Sequence, residues 1–247
     1  MKLTLADIAD TRAYERERES FRDHIVSLKQ LRRVQVGNMI TFVFENRDTM
    51  RFQVQEMARV EKIFTDAGIQ SELDTYNTLI PEPGQLSATM FIELTSELAL
   101  RDWLPRLVRI ERALELRMPG HVIEAVVEEQ HASQLTREDI TSAVHYVRFE
   151  LSSVQIAAFR AGPVELAVEH PALQAAVVLR DETRDELLHD LGPETAEICK
   201  TLWQPGQTPH NMTRMEPGGS RSDEVLGAYL GSSCLFIAAP VSGVGVA

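Results

Sequence analysis

Apolar residues recur at helical spacing near the start of the chain and predict a long first helix. They lie at offsets of seven, four and three residues, which is one face of a helix: Tyr14, Phe21, Ile25 and Leu28. Thr4 and Asp7 together resemble a capping box, so we expect the helix to begin there and to end near residue 33. The basic run at residues 29–33 then reads as the solvated C-terminal end of this helix, favoured by its dipole.

A second helix is predicted from about residue 49 to residue 66, with Asp48 as its N-cap. Its apolar stripe comprises Met50, Val54, Met57, Val60, Ile63 and Phe64. A polar ridge repeats every four residues: Arg51, Gln55 and Arg59. Glu56 and Glu61 flank the stripe, and a carboxylate in that position is partly removed from water and needs a partner.

Alternating apolar and polar residues predict strands along the rest of the chain. The strand-like stretches are residues 39–45, 86–95, 122–129, 141–151, 164–169 and 175–179. Further helices are predicted at residues 70–77, 97–112, 152–160 and 181–191. Because strands follow strands and most helices come early, we predict an α+β fold with the N-terminal helices packed on one face of a mostly antiparallel sheet.

The last part of the chain has a different character. Gly, Pro and Ser become frequent after residue 191, and the periodicity of apolar residues ends. We therefore predict one domain at residues 1–191 and a poorly ordered extension at residues 192–247.

Charge and composition exclude several classes of protein. The chain of 247 residues has a net charge of −12, which disfavours binding to nucleic acid. No apolar run approaches the roughly 20 residues of a membrane span, and the N-terminus lacks a signal peptide, so a cytoplasmic protein without membrane contact is expected. Cys199 and Cys234 form no CxxC pair and no GxSxG motif occurs, so a cysteine-based metal site and a nucleophilic hydrolase are both disfavoured.

The first candidate site surrounds the second helix. It comprises Glu45, Arg47, Arg51, Gln55, Glu56, Arg59 and Glu61, with Tyr76 and Asn77 from the next segment. In one interpretation the arginines line a cleft for an anionic ligand or partner, and Glu56 or Glu61 serves as a general base or acid. In the other, the same residues form ion pairs that join this helix to Arg18 and Arg22 of the first.

A second, weaker candidate is a metal site. His121, Glu124, Glu128, Glu129 and His131 crowd one predicted strand and its exit, and His145 and His170 are candidate ligands from neighbouring strands. The alternative is a solvated sheet face whose charges discourage aggregation. No cofactor is predicted, and the helical ligand spacing of a di-iron site is absent.

Four stretches resemble a known family: FENRDT, QVQEMARVEKI, ELDTYNTLIPEPGQLSATMFIEL and DETRDELL. Over roughly residues 3–191 the sequence resembles the bacterial domain of unknown function 3501 (DUF3501). The family has no established activity. Its members are often encoded beside rubrerythrin-like proteins and iron–sulfur, heterodisulfide-reductase-like proteins, so the resemblance implies such redox proteins as partners.

These observations leave three functions open. The leading hypothesis is an uncharacterised cytoplasmic accessory or binding protein that serves a rubrerythrin or iron–sulfur redox system. The alternatives are an enzyme that acts on a small anionic metabolite, with Arg51 and Arg59 binding and Glu56 as acid–base group, and a metal-binding protein. Neither enzymatic activity nor oligomeric state is decided by the sequence.

Overall fold

The computed structural model describes residues 1–127 and 140–192 and shows an α+β fold. The described helices are α1 (Thr11–Arg32), α2 (Arg47–Val60), α3 (Asp66–Tyr76), α4 (Glu97–Trp103), α5 (Ser153–Ala161) and α6 (Asp181–Leu191). The described strands are β1 (Arg33–Val36), β2 (Ile40–Glu45), β3 (Gln85–Ile92), β4 (Leu114–Met118), β5 (His121–Glu124), β6 (Val126–Val127), β7 (Val144–Glu150), β8 (Glu165–His170) and β9 (Leu173–Val178). Apart from Gly192, the predicted extension lies outside the described residues.

Two antiparallel sheets enclose the main core. One sheet has the strand order β1-β2-β3-β7-β6 and the other β5-β4-β8-β9. β5 and β6 are two halves of one segment, so this segment pairs with β4 through its first half and with β7 through its second. At the opposite edge Gly37 has a φ of +64°, and a Cβ there would lie 3.1 Å from the Cβ of Ala175 in β9. The two sheets therefore approach each other at both edges, and the core between them resembles that of a flattened barrel.

Strand β2 separates this core from a layer of helices. Its alternate residues Ile40, Phe42 and Phe44 enter the apolar core between the sheets. The residues between them are also buried, including Thr41 and Glu45, because α1 contacts this strand on its other face. The predicted packing of N-terminal helices on one face of an antiparallel sheet is thus confirmed, although β2 is buried on both faces rather than one.

The first helix begins later than predicted and the second slightly earlier. The Thr4–Asp7 capping box is present, but it caps a 3₁₀ turn, Leu5–Asp7, and α1 starts at Thr11 behind an Asp10 side chain that accepts two backbone N–H groups. The N-cap of α2 is Asn46 rather than Asp48, because the Asn46 side chain accepts from the backbone N–H of Asp48 and Thr49.

Several element ends also differ from prediction. Helix α2 stops at Val60, so Phe64 is not part of its apolar stripe. Helix α4 ends at Trp103 instead of continuing to residue 112, which agrees with the inability of Pro105 to continue a helix. Strands β1 and β4 were not predicted, because their alternation of apolar and polar residues extends over only four and five residues and directly follows segments predicted to be helical.

One buried arginine ties the end of α1 to the end of α6. Arg32 is fully buried, whereas the sequence suggested a solvated helix end. Its guanidinium donates to the carbonyl oxygens of Phe44 at 2.8 Å and Glu45 at 3.2 Å. It also pairs with Glu186 at 3.0 Å and with Asp190. Burial alone would lower the pKa of Arg32, but the two carboxylates raise it above its usual value.

Replacing Arg32 with methionine should destabilise the chain severely. Arg32→Met leaves the nearly enclosed Asp190 carboxylate, and the partly buried Glu186 beside it, without this counter-charge, which we expect to cost about 3–5 kcal/mol. The measurement is urea unfolding of the full-length chain. Arg101→Met, which removes an exposed ion pair on α4, is the control and should change little. Equal unfolding midpoints for Arg32→Met and the wild type would contradict this role.

Candidate functional site

Helix α2 carries most of the residues that the sequence singles out, and the fold buries it deeply. Every residue from position 52 to position 58 is buried. Phe52 packs edge-on against Phe21 of α1, with 5.7 Å between ring centroids. On another side, Val54 belongs to an apolar cluster with Leu73 of α3 and Tyr146 of β7. Polar side chains on these buried faces must therefore find partners within the protein.

Helix α1 binds both carboxylate oxygens of Glu56. The Tyr14 hydroxyl donates to Oε1 at 2.6 Å, and Arg18 donates from Nε to Oε1 at 2.8 Å and from Nη2 to Oε2 at 2.9 Å. Burial would raise the pKa of Glu56, but the hydrogen bonds from Arg18 and Tyr14 outweigh it and hold the pKa below its usual value. Burial and Glu56 together raise the pKa of Tyr14. An ionised, fully occupied carboxylate is a poor general base.

Four other candidate residues hold the N-terminal strap, which we define as residues 3–9. Asn77 accepts from the backbone N–H of Leu3 at 2.8 Å and donates to its carbonyl oxygen at 2.9 Å. Gln55 likewise accepts from the backbone N–H of Ala9 at 2.7 Å and donates to the Ala9 carbonyl oxygen at 3.2 Å. Arg47 donates to the carboxylate of Asp7, and Arg51 donates to the backbone carbonyl oxygen of the same residue. Arg51 also pairs with Glu17 and lies over the Phe21 ring.

The structure brings Glu45 and Tyr76 into one buried polar cluster. Glu45 is 4% exposed, and its Oε1 accepts a hydrogen bond from the Thr89 hydroxyl at 2.7 Å. Its Oε2 is buried and has no hydrogen-bond partner among the described residues. Tyr146 completes the cluster, and its pKa is raised by burial and by nearby Tyr76 and Glu45. Sequence reasoning missed Thr89 and Tyr146, because the register of β3 and β7, which pairs these two residues directly, cannot be read from alternation within either strand.

The end of α2 differs from its middle because it reaches the surface. Arg59 Nε donates to Glu15 of α1 at 2.7 Å, and the Arg59 side chain is 36% exposed. Glu61 is exposed and forms the C-cap of α2. Of the two predicted acid–base candidates, Glu56 is therefore enclosed by partners and Glu61 stands at the surface.

An open groove lies beside this end of α2. Its volume is about 420 Å³, and it forms where the strap, the start of α1, the end of α2 and the start of α3 meet. Most of its wall is apolar: Leu5, Ile8, Ala58, Ile63, Phe64 and Ile69. Phe64 is 71% exposed. Of the nine candidate residues around α2, all of them in the described part of the chain, Gln55 and Arg59 line the groove. The sequence signal for this groove was the predicted apolar stripe of α2, whose last residues, Ile63 and Phe64, lie beyond the end of the helix.

The predicted metal ligands are dispersed in the described part of the chain. His121 lies on β5 and the buried His145 on β7, while His131 lies outside the described residues. Nε2 of His145 lies 2.9 Å from the Ser142 carbonyl oxygen, and Nδ1 lies 3.8 Å from a Glu111 carboxylate oxygen. Burial lowers the pKa of His145, against the opposing charge of Glu111. Within residues 1–127 and 140–192, no three potential ligands of His, Cys, Asp or Glu type gather around one point.

The fold and the site define the chain as an α+β domain with two antiparallel sheets, a helical layer and an apolar groove in that layer. The chain belongs to the family described as protein of unknown function (DUF3501), which it matches over residues 2–191. This confirms the resemblance inferred from the sequence. In the described ranges, no helix has the length and apolar character needed to cross a membrane.

A solved structure has a similar fold. A crystal structure of a protein of unknown function from Burkholderia pseudomallei is 34% identical in sequence, with a TM-score of 0.72. The similarity covers 78% of this chain and 100% of the other. No curated protein matches this chain.

The ion pair of Glu56 predicts a dependence of stability on pH. We expect Glu56→Gln to destabilise the chain by about 1–3 kcal/mol at pH 7, because it weakens hydrogen bonds to a charged group. The pKa of Glu56 is lower in the folded state than in the unfolded state, where it is about 4.3. Its contribution is therefore complete above that pH and is lost as the pH falls through the folded-state pKa.

Urea unfolding at pH 7 and pH 3 tests this prediction. The difference in stability between the wild type and Glu56→Gln should shrink at pH 3. Glu97→Gln, at an exposed position on α4, is the matched control and should show no such difference at either pH. A difference that grows on acidification would mean that Glu56 is not held as an anion.

The strap makes a separate prediction. Asn77→Ala removes both side-chain hydrogen bonds to Leu3, so backbone amides in the strap should exchange with deuterium about tenfold faster. Hydrogen exchange read by mass spectrometry measures this in the N-terminal peptide. Gln70→Ala, which removes an exposed side-chain contact to Asp74, is the control. Unchanged exchange in Asn77→Ala would show that apolar contacts alone hold the strap.

Proposed function

We propose that this protein is a cytoplasmic accessory protein that binds a partner protein through the groove between its strap and helices α1, α2 and α3. The observation that carries this proposal is the contrast between two neighbouring regions. The Gln55 and Glu56 side chains on the middle of α2 are occupied by groups of the same chain, whereas the adjoining groove is open and mainly apolar. An open apolar recess on a surface is typical of binding sites.

The exposed aromatic residue at the groove supports a macromolecular partner. A volume of about 420 Å³ accommodates one large side chain of a partner with room for its flanking atoms. Phe64 stands at this groove with most of its surface exposed to solvent. Aromatic side chains beside a recess often dominate the binding energy of protein interfaces.

The identity of the partner is proposed from the family. Members of the DUF3501 family are often encoded beside rubrerythrin-like and iron–sulfur, heterodisulfide-reductase-like proteins, so we propose one of these redox proteins as the partner. In this role the chain itself supplies binding and needs no cofactor of its own.

An enzyme that acts on a small anionic metabolite finds less support. Arg51 is engaged by Asp7, Glu17 and Phe21, and it does not line the groove. Glu56 is held as an ion pair by Arg18, and Arg59 is paired with Glu15. The groups that such an enzyme would use for binding and proton transfer thus already have partners within the chain.

Binding to purified rubrerythrin-like and heterodisulfide-reductase-like proteins tests the proposed function. We expect Phe64→Ser to weaken binding by about tenfold or more, because it removes the exposed aromatic surface. Leu98→Ser is the matched control, since Leu98 is 80% exposed on α4 away from the groove. Biolayer interferometry with the full-length chain measures both. If the chain binds neither class of redox protein, this choice of partner is refuted.

A further inference from the structure

Charged side chains on the α1 side of the groove have compensating partners, whereas two carboxylates on the α2–α3 side do not. On the α1 side, Arg59 is paired with Glu15, and the Asp10 carboxylate accepts the backbone N–H groups of Ala13 and Arg12, which hold its pKa below its usual value. Asp66 lies in the first turn of α3, where the helix dipole favours a negative charge. Each of these charges at the groove therefore has a compensating group in the chain.

Two carboxylates at the α2–α3 side lack such compensation. Glu61 ends α2, next to the groove residues Ile63 and Phe64. Glu72 lies three positions after the groove residue Ile69 on α3, so the two share one face of that helix. Neither carboxylate makes an ion pair or a side-chain hydrogen bond within the described residues.

The two carboxylates also repel each other. Glu72 is partly buried, and its pKa is raised by burial and by the charge of Glu61. A like-charged pair is unfavourable in the free protein, and a cation placed between the two would relieve the repulsion. Lys62 is exposed between Glu61 and the groove residue Ile63, so two carboxylates stand against one lysine and this side of the groove remains net negative.

We propose that the groove binds a protein segment in which a large apolar side chain is followed or preceded within a turn by lysine or arginine. The apolar side chain enters the recess between Leu5, Ile69 and Phe64, and the basic group meets Glu61 and Glu72 at its edge. This inference rests on the proposed binding function and adds the chemistry of the segment that is recognised. Electrostatic complementarity of this kind sets which partner binds, while the apolar contact supplies most of the affinity.

Selection of random peptides on the full-length chain tests this without naming a partner in advance. A phage-displayed library of 12-residue peptides is selected on the wild type, with Phe64→Ser as the counter-selection target. We expect enriched peptides to contain a large apolar residue within four positions of lysine or arginine. The proposal would be overturned if the enriched peptides were acidic. It would also be overturned if no enriched peptide lost its binding when Phe64 is replaced by serine.

The enriched peptide is then synthesised and its affinity measured by fluorescence anisotropy. We expect about tenfold weaker binding to Phe64→Ser and about threefold weaker binding to the double variant Glu61→Gln/Glu72→Gln, with a matching loss at high salt. Leu98→Ser and Glu97→Gln are matched controls at exposed positions of α4 and should bind as the wild type does. Equal affinity for the wild type and the double variant would remove the role of the carboxylates.

Two further measurements make each outcome decisive. Thermal melting of Phe64→Ser checks its fold, and Leu5→Ser, on the strap side of the groove, takes its place if Phe64→Ser melts early. Peptide binding that needs Phe64 and the carboxylates, combined with no binding of redox proteins, would refute the proposed partner and support this inference. Redox proteins that bind Phe64→Ser as well as they bind the wild type would support the choice of partner but refute the groove as its binding site.

Discussion

The structure depends on pairing the polar side chains of a helix that is buried on several sides. Helix α2 lies against α1, α3 and the five-stranded sheet, and a charged group left alone there would cost several kcal/mol. Glu56 meets this constraint through Arg18 and Tyr14. The position of α1 against α2 is therefore fixed by directional bonds as well as by the Phe21–Phe52 contact.

The same constraint creates the groove. Gln55 and Asn77 bind the backbone of the strap as a neighbouring strand would, and Arg47 and Arg51 hold it at Asp7. The strap therefore becomes one wall of a recess whose other walls are the ends of three helices. Polar residues act here as the scaffold, and the surface left open for a partner is mainly apolar.

The core between the sheets is separate from this region, and Arg32 links the two. Its side chain lies beneath the end of β2 and reaches α6, whose residues Leu187 and Leu191 belong to the core between the sheets. The described chain thus brings its first and last helices together. The helical layer that carries the groove is held against the barrel-like part by this fully buried cation.

Local patterning of the sequence determined the fold class, most helices and the longer strands, because apolar periodicity depends only on neighbouring residues. It also marked α2 as the polar centre. Only the tertiary structure decided which partners those residues have: Arg32 is buried rather than solvated, Gln55 and Asn77 bind the strap, and Phe64 leaves the helix to line a groove. These facts depend on contacts between residues far apart in the chain, such as Arg32 and Asp190, and no local pattern encodes them.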